Sequence, residues 1–306
     1  MAGGRPIARS SRETAPWAAN IRRRPRTDWR ILLLLSPALF LVLALFIYPL
    51  FYGLRLSLSP DAGGLFTNYT DFFGDARERA TIGNTLRLAL PATLINLALA
   101  IPLAYRMRRQ IRGQRLITGL FVIPMTLGTV LLAQGMLSFF GPRGWFNKTL
   151  LFLGISDDPI RLVHNATGVV ISLTIAEFPV VFLLLLGFVS GIDPNLERAA
   201  QMLGANAWQR FRRIILPLMI PGIATAFALS FVATFAVLPS AVMLGQPAGD
   251  TRVIALAAWQ AAYERFDYSA GAAIAIIMAG IELLVLVIVI GGQSRLYRGP
   301  ATGGKG

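Results

Sequence analysis

Long apolar stretches separated by short polar segments dominate the pattern of this chain. Apolar runs bounded by charged or polar residues lie at positions 31–54, 88–105, 116–140, 168–190, 214–238 and 269–291. Each run can cross a hydrocarbon core of about 30 Å as a helix, and a helix satisfies its own backbone hydrogen bonds in lipid. The pattern therefore predicts an all-α membrane protein with six transmembrane helices.

Two further features modify this pattern. The uncharged run Val253–Tyr263 is too short to span a membrane, so we expect it to lie at an interface or to enter the bilayer partway. Prolines inside the apolar runs predict kinks or helix ends, because proline removes a backbone donor. These prolines are Pro37, Pro91, Pro124, Pro179 and Pro221.

Composition supports a membrane protein and excludes several classes of site. The chain has 306 residues, of which 55% are hydrophobic and only 14% charged, with a mean hydropathy of +0.61. The net charge of +14 comes from basic residues beside the apolar runs, which argues against a nucleic-acid surface. The absence of cysteine and the single histidine, His164, exclude a Cys/His metal cluster. No G-x-x-x-x-G-K-[ST] phosphate loop occurs.

Charge asymmetry predicts the orientation. Arginines crowd the first 30 residues and the segment 106–115, whereas segments 61–79 and 250–267 mix acids and bases. Because positive residues stay inside, both termini and segment 193–213 should be cytoplasmic. We expect a disordered tail at residues 1–30, a six-span transmembrane domain at 31–292 and a second tail at 293–306. A cleaved signal peptide is the alternative for the N-terminus, but the first apolar run is long for one.

A polar, basic segment at residues 193–213 interrupts the apolar pattern. Asp193-Pro194 predicts a helix start, and Gly204 predicts its end in the left-handed conformation. Asn206 can cap a second short helix, for which Trp208 supplies an apolar contact. Two interpretations fit these residues: a docking element for a soluble partner, or a loop whose arginines only set topology.

The same segment resembles a known motif. Ala199-Ala200, Gly204 and Ile214-Ile215-Leu216-Pro217 match, in order and spacing, the cytoplasmic E-A-A-x-x-x-G and I-x-L-P motif of permease subunits in binding-protein-dependent ABC importers. Asn84-Thr85-Leu86 and Arg265-Phe266-Asp267-Tyr268 resemble the polyamine (spermidine/putrescine)-type branch of that family. The resemblance implies the MetI-like permease fold, with a coupling helix between spans four and five that inserts into an ATPase subunit.

The resemblance also implies partners and coupling residues. A second, different permease subunit, two ATP-binding cassette subunits that hold ATP and Mg, and a solute-binding protein would complete the transporter, in membrane lipid. This chain itself would hold no cofactor, metal or catalytic residue. The coupling residues carried over are Glu197, Arg198, Ala199, Ala200, Gly204, Trp208, Leu216 and Pro217. Arg198 stands where the motif has Glu, and Glu197 lies one position earlier, about 100° around the helix.

Polar residues inside the spans are candidates for a solute path. Glu177 lies near the middle of span four, where an ionisable group faces a bundle interior or a cavity. It could attract a cationic solute such as an amine, or it could be a structural hydrogen-bonding group. Gln134, Asn96 and Thr126 are further candidates, and Glu282 fits a structural role better. The resemblance favours a polyamine or similar amine, with phosphonate, thiamine or ferric iron as alternatives.

Two other classes of function remain as alternatives. A stand-alone secondary transporter would need ion-coupling residues in its spans, and only Glu177 and Glu282 are available. A membrane enzyme would need a nucleophile or an acid–base cluster, which the sequence does not offer.

Overall fold

The computed structural model describes residues 29–60, 62–109 and 113–296. Most of the N-terminal tail that was predicted to be disordered, residues 1–28, and most of the predicted C-terminal tail, residues 297–306, lie outside the described residues. In the described part of the chain, every regular element is a helix. This confirms the predicted all-α class.

The helices that are long and apolar enough to span a membrane agree with the predicted runs. Within the described residues there are six such helical stretches, namely Leu33–Ser57, Ala76–Met107, Leu116–Phe152, Ala166–Ser190, Ala207–Phe235 and Tyr268–Gln293. The α-helices in chain order are α1 (Trp29–Val42), α2 (Tyr48–Ser57), α3 (Thr67–Gly74), α4 (Ala76–Met107), α5 (Gln114–Phe140), α6 (Trp145–Phe152), α7 (Ala166–Ser190), α8 (Pro194–Met202), α9 (Ala207–Arg210), α10 (Leu216–Phe235), α11 (Pro239–Leu244), α12 (Ile254–Trp259) and α13 (Tyr268–Leu296).

Three π-helical turns join some of these elements. Leu43–Ile47 connects α1 to α2, Phe211–Ile215 connects α9 to α10, and Gln260–Glu264 extends α12. The run predicted to be too short for a span thus folds as α12 and its π-helical extension. The chain divides after Tyr52 into two units, and the remaining description concerns the second.

Helix α4 begins twelve residues before the predicted second run. Asp75 caps it by accepting a hydrogen bond from the backbone N–H of Arg77 at 2.7 Å. One turn later, Glu78 forms a bidentate pair with the nearly buried Arg252, at 3.0 and 3.1 Å. This distant ion pair stabilises a polar helical extension that hydropathy alone did not predict.

The core of this unit forms where α4, α7 and α10 pack against one another. Fully buried apolar side chains such as Phe182, Leu185 and Met219 fill the interface at one end of these helices. Farther along, a buried hydroxyl pair links α4 to α10, Thr93 with Thr234 at 3.1 Å, and a second pair links α7 to α11, Ser172 with Ser240 at 2.9 Å. The packed helices support the polar segment at residues 193–213, which lies at the end of this bundle beside Met107 and Val189.

Helix α5 contains a break. Gly128 has φ 71° and ψ 158°, a conformation that is accessible almost only to glycine. Pro124, four residues earlier, was predicted to kink this span, and the departure from helical geometry falls at the glycine. By contrast, α4, α7 and α10 continue as helices through Pro91, Pro179 and Pro221.

Candidate coupling segment and solute path

The first short helix of the polar segment starts and ends where the sequence predicts. The Asp193 carboxylate accepts from the N–H of Asn195 at 2.9 Å, and Pro194 occupies the first helical position. After Met202 the chain turns through Gly204, whose φ is +83°. The N–H of Ala205 then bonds back to the Ala200 carbonyl at 3.0 Å, a helix-terminating pattern that needs this left-handed residue.

The second short helix is fixed at both ends. Asn206 and Gln209 form a reciprocal capping box with hydrogen bonds of 2.8 and 2.9 Å. The ring centroids of Trp208 and Phe211 lie 5.8 Å apart, and those of Phe211 and Tyr105 on α4 lie 4.9 Å apart. A π-helical turn leads from here into α10, whose first residues are Leu216 and Pro217. The segment is therefore held against span two and joined directly to span five.

Helix α8 has two distinct faces. Pro194, Glu197, Arg198 and Gln201 follow i, i+3, i+4, i+7 spacing and line a cavity of 530 Å³ beneath the ends of α4 and α7. The opposite face carries Leu196 and Ala199 and continues into Leu203, the residue directly after the helix. All three are exposed in this chain, Leu203 to 89%. An uncovered apolar face on a polar segment is a candidate docking surface.

Glu197 anchors α8 to the end of span two. Its carboxylate is 2% exposed and accepts hydrogen bonds from the Tyr105 hydroxyl and from Arg109, both at 2.8 Å. It also forms an ion pair with Arg108, which is itself buried. Burial raises the pKa of Glu197, but these hydrogen bonds and charges outweigh it, so the pKa is lowered and the anchor is charged at neutral pH.

The predicted coupling residues differ in exposure and in the side of α8 on which they lie. Ala199 is on the exposed face, Ala200 is half-buried, and Gly204 and Trp208 are exposed beside it. Glu197 is buried inside this chain, so it holds the helix in place rather than presenting its charge to a partner. Arg198, at the motif's Glu position, lies on the cavity side and donates to Asn195 at 3.3 Å.

Two predicted path residues lie on the exposed side of α5. Thr126 and Gln134 are both exposed, on either side of the Gly128 break. A cavity of 430 Å³ lies against this break and is lined by Gly128, Gln134 and Met243, among others. The Thr126 hydroxyl donates to the Ile123 carbonyl at 2.8 Å, so it is satisfied within its own helix. The exposed Gln134 amide at membrane depth requires a cavity or a protein neighbour, since lipid cannot satisfy it.

A second cavity continues from the first. Its volume is 520 Å³, and it shares Val130 and Met243 with the cavity at the break. Trp259, Gln260 and Glu264 line its other end, beside the loop predicted to face outward. The two cavities form a groove, which we call the α5 groove, from the middle of span three to that loop.

The other two predicted path residues lie away from this groove. Asn96 is fully buried on α4, and neither atom of its amide group has a partner among the described residues. Glu177 is half-buried on α7, without an ion pair in the described part of the chain. Asn96 is enclosed by packed helices and does not line the groove, so we leave it out of the solute path proposed below.

Several site residues were not singled out from the sequence. Arg108 and Arg109 were assigned only to topology, yet they hold Glu197 from a distance of almost ninety residues along the chain. Trp259 and Glu264 were predicted only as interfacial or loop residues. Clustered arginines at a span end were the only available signal, and it does not identify their acidic partner.

Comparison with known families identifies the chain. The family model described as "Binding-protein-dependent transport system inner membrane component" matches residues 96–298. The chain belongs to this family. It is thus a multi-pass permease subunit of an ABC importer, and the predicted class is confirmed.

Curated relatives within the family differ in solute. The spermidine/putrescine permease protein PotB of Haemophilus influenzae is 34% identical over 157 residues, which cover 51% of this chain and 54% of that protein. PotB of Escherichia coli is 34% identical over 141 residues, covering 46% and 51%. The probable sulfate permease protein cysT of Prototheca wickerhamii is 27% identical over 209 residues, covering 68% and 80%. The matches thus span little more than half the length of the two polyamine permeases.

Solved structures support the fold. A chain of a bacterial alginate ABC transporter, crystallised with an alginate pentasaccharide-bound periplasmic protein, superposes with a TM-score of 0.76 at 23% identity. The alignment covers 89% of this chain and 96% of that chain. A second structure of an alginate-importing ABC transporter gives a TM-score of 0.74. The likeness shows the MetI-like permease fold.

Proposed function

We propose that this permease subunit forms half of a solute path and is driven through α8 and α9 by a separate ATPase subunit. The observation that carries the proposal is the uncovered apolar face of Leu196, Ala199 and Leu203, on a helix whose other face is anchored by Glu197. A helix held rigidly on one side and exposed on the other can transmit a push from a partner into the spans. The direct junction with α10 would carry this movement into span five.

The α5 groove would form this chain's side of the path. A second permease subunit would cover the groove, and a solute-binding protein would deliver solute at its outer end. ATP and Mg would be bound by two ATPase subunits, whose closure would switch the groove between inward and outward access. The helices of this chain would alternate between two packing arrangements, and the chain itself would catalyse no bond-breaking step.

The proposed solute is a polyamine or another small amine. Two relatives at 34% identity are spermidine/putrescine permeases, and Glu264 places a carboxylate at the mouth of the α5 groove. Glu177 adds a second carboxylate in span four, outside the groove lining. Carboxylates and the face of an aromatic ring such as Trp259 both attract ammonium groups. The sulfate-type relative makes an oxyanion the alternative solute.

A charge placed on the apolar face tests the coupling proposal. We expect Leu203→Glu to abolish co-purification of the ATPase subunit, because burying Leu203 in a partner is worth about 2 kcal/mol, and a buried unpaired carboxylate adds a further cost. Gln209→Glu is the matched control. It adds the same charge nearby on α9 and keeps the capping box, which accepts Glu as well as Gln.

The measurement is the amount of ATPase that co-purifies with the tagged permease, together with solute-stimulated ATP hydrolysis in proteoliposomes. Membrane insertion should be equal in both variants. If Leu203→Glu retains as much ATPase as the wild type, α8 is not the docking element. If Gln209→Glu loses as much co-purifying ATPase as Leu203→Glu, the added negative charge alone explains the loss.

A further inference from the structure

The cavity behind α8 has a composition that the coupling role does not require. Arg108, Arg109 and Arg198 line it, and Glu197 is the single acidic residue of the lining among the residues that the structure describes. The carboxylate neutralises one of three guanidinium charges, so the lining is cationic overall. Arg198 has no carboxylate partner among the described residues, and Arg109 remains 63% exposed.

The position of the cavity is as informative as its charge. Its walls include Val189 and Ser190, the last residues of α7, and Arg108, the residue after the end of α4. Two apolar spans therefore end at the level of the cavity. In a bilayer this is the depth of the phospholipid headgroups on the side where the arginines lie.

We propose that this cavity binds the phosphate of an anionic phospholipid headgroup. Arg109 and Arg198 would contact the phosphate oxygens, while Arg108 stays with Glu197 and with the Tyr105 ring, whose centroid is 4.9 Å from its guanidinium carbon. A volume of 530 Å³ accommodates a headgroup. Because the cavity and the apolar docking face lie on opposite sides of α8, a bound lipid would hold the helix from behind without covering the face offered to a partner.

The site can be tested by lipid binding, independently of transport. The full chain, with whatever subunits co-purify, is placed in phosphatidylcholine nanodiscs containing some phosphatidylglycerol, and retained lipids are counted by native mass spectrometry. Arg109→Gln and Arg198→Gln should each lower phosphatidylglycerol retention about fivefold, and more in combination. Arg212→Gln, which removes an exposed arginine outside the cavity, is the matched control.

Each outcome is decisive. Selective loss in the two cavity variants, with normal retention in Arg212→Gln and with unchanged thermal unfolding of Arg198→Gln, whose arginine is not paired with Glu197, supports the proposal. Equal loss in all three variants, or no preference for phosphatidylglycerol over phosphatidylcholine, overturns it. A parallel titration with inorganic phosphate in detergent distinguishes the source: arginine-dependent binding of the free ion, without lipid enrichment, would overturn the lipid assignment and leave a soluble phosphate as the ligand.

Discussion

Glu177 and Glu282 are two carboxylates placed inside apolar helices, and they offer a matched comparison of the same chemical change. Glu177 lies on α7, among the packed helices beside α5, whereas one carboxylate oxygen of Glu282 on α13 is buried without a partner among the described residues. If Glu177 attracts an ammonium group, Glu177→Gln should reduce uptake of a cationic solute by at least about fivefold, since it removes one charge–charge interaction.

Uptake of radiolabelled putrescine into proteoliposomes, with the binding protein present, measures this effect. Glu282→Gln is the control, because the substitution neutralises a span carboxylate that we assign to structure. Equal uptake by Glu177→Gln and wild type would mean that the Glu177 charge does not help to attract the solute. A transporter that takes up sulfate and ignores putrescine would replace the amine proposal by the oxyanion alternative.

Glu197 illustrates what a single sequence can and cannot predict at the residue scale. The helix that carries Glu197 was predicted correctly, because the start signal of Asp193 and Pro194 and the stop signal of Gly204 depend only on residues a few positions away. Its role was not, because its partners Arg108 and Arg109 belong to another span and the pairing depends on tertiary packing. Local signals fix the ends of a helix, whereas the direction of its faces is fixed by contacts distant in sequence.

At the scale of elements, the break in α5 gives the sharpest prediction. The backbone angles φ 71° and ψ 158° are strained for a residue with a β-carbon. Gly128→Ala should therefore lower the free energy of unfolding by about 1–3 kcal/mol, or straighten the helix and distort the α5 groove. Gly135→Ala is the matched control: it lies in the same helix, is also free of neighbours within 4 Å, and has no positive φ. Alanine there should be neutral or slightly stabilising.

Thermal unfolding and transport rate of the two variants together decide this point. A lower unfolding temperature or impaired transport only in Gly128→Ala would show that the break matters. Identical behaviour of both variants would mean that α5 tolerates a straight helix. Such a result would remove the reason for placing the path at this break.

Spans were predictable as elements because length and hydropathy are local properties of the chain. The position of the α5 break could not be predicted in the same way. Pro124 indicated a kink in this region, but the backbone departs from helical geometry at Gly128. The early start of α4 was also missed, because Arg77, Glu78 and Arg79 break the apolar pattern. The ion pair between Glu78 and Arg252 stabilises this charged first part of α4, and Arg252 lies almost 175 residues away in the sequence.

At the scale of the whole molecule, the proposals require that α8 and α9 face the ATPase side of the membrane and that the groove mouth faces the other. The absence of cysteine makes this orientation directly testable with single-cysteine variants. Ala207→Cys on α9 and Ala248→Cys between α11 and α12 are equivalent changes at exposed positions. In intact cells, a membrane-impermeant maleimide should label Ala248→Cys and leave Ala207→Cys unmodified, whereas both should react in detergent. The reverse labelling pattern would place the coupling segment outside, beyond the reach of any ATPase, and the coupling proposal would fail with it.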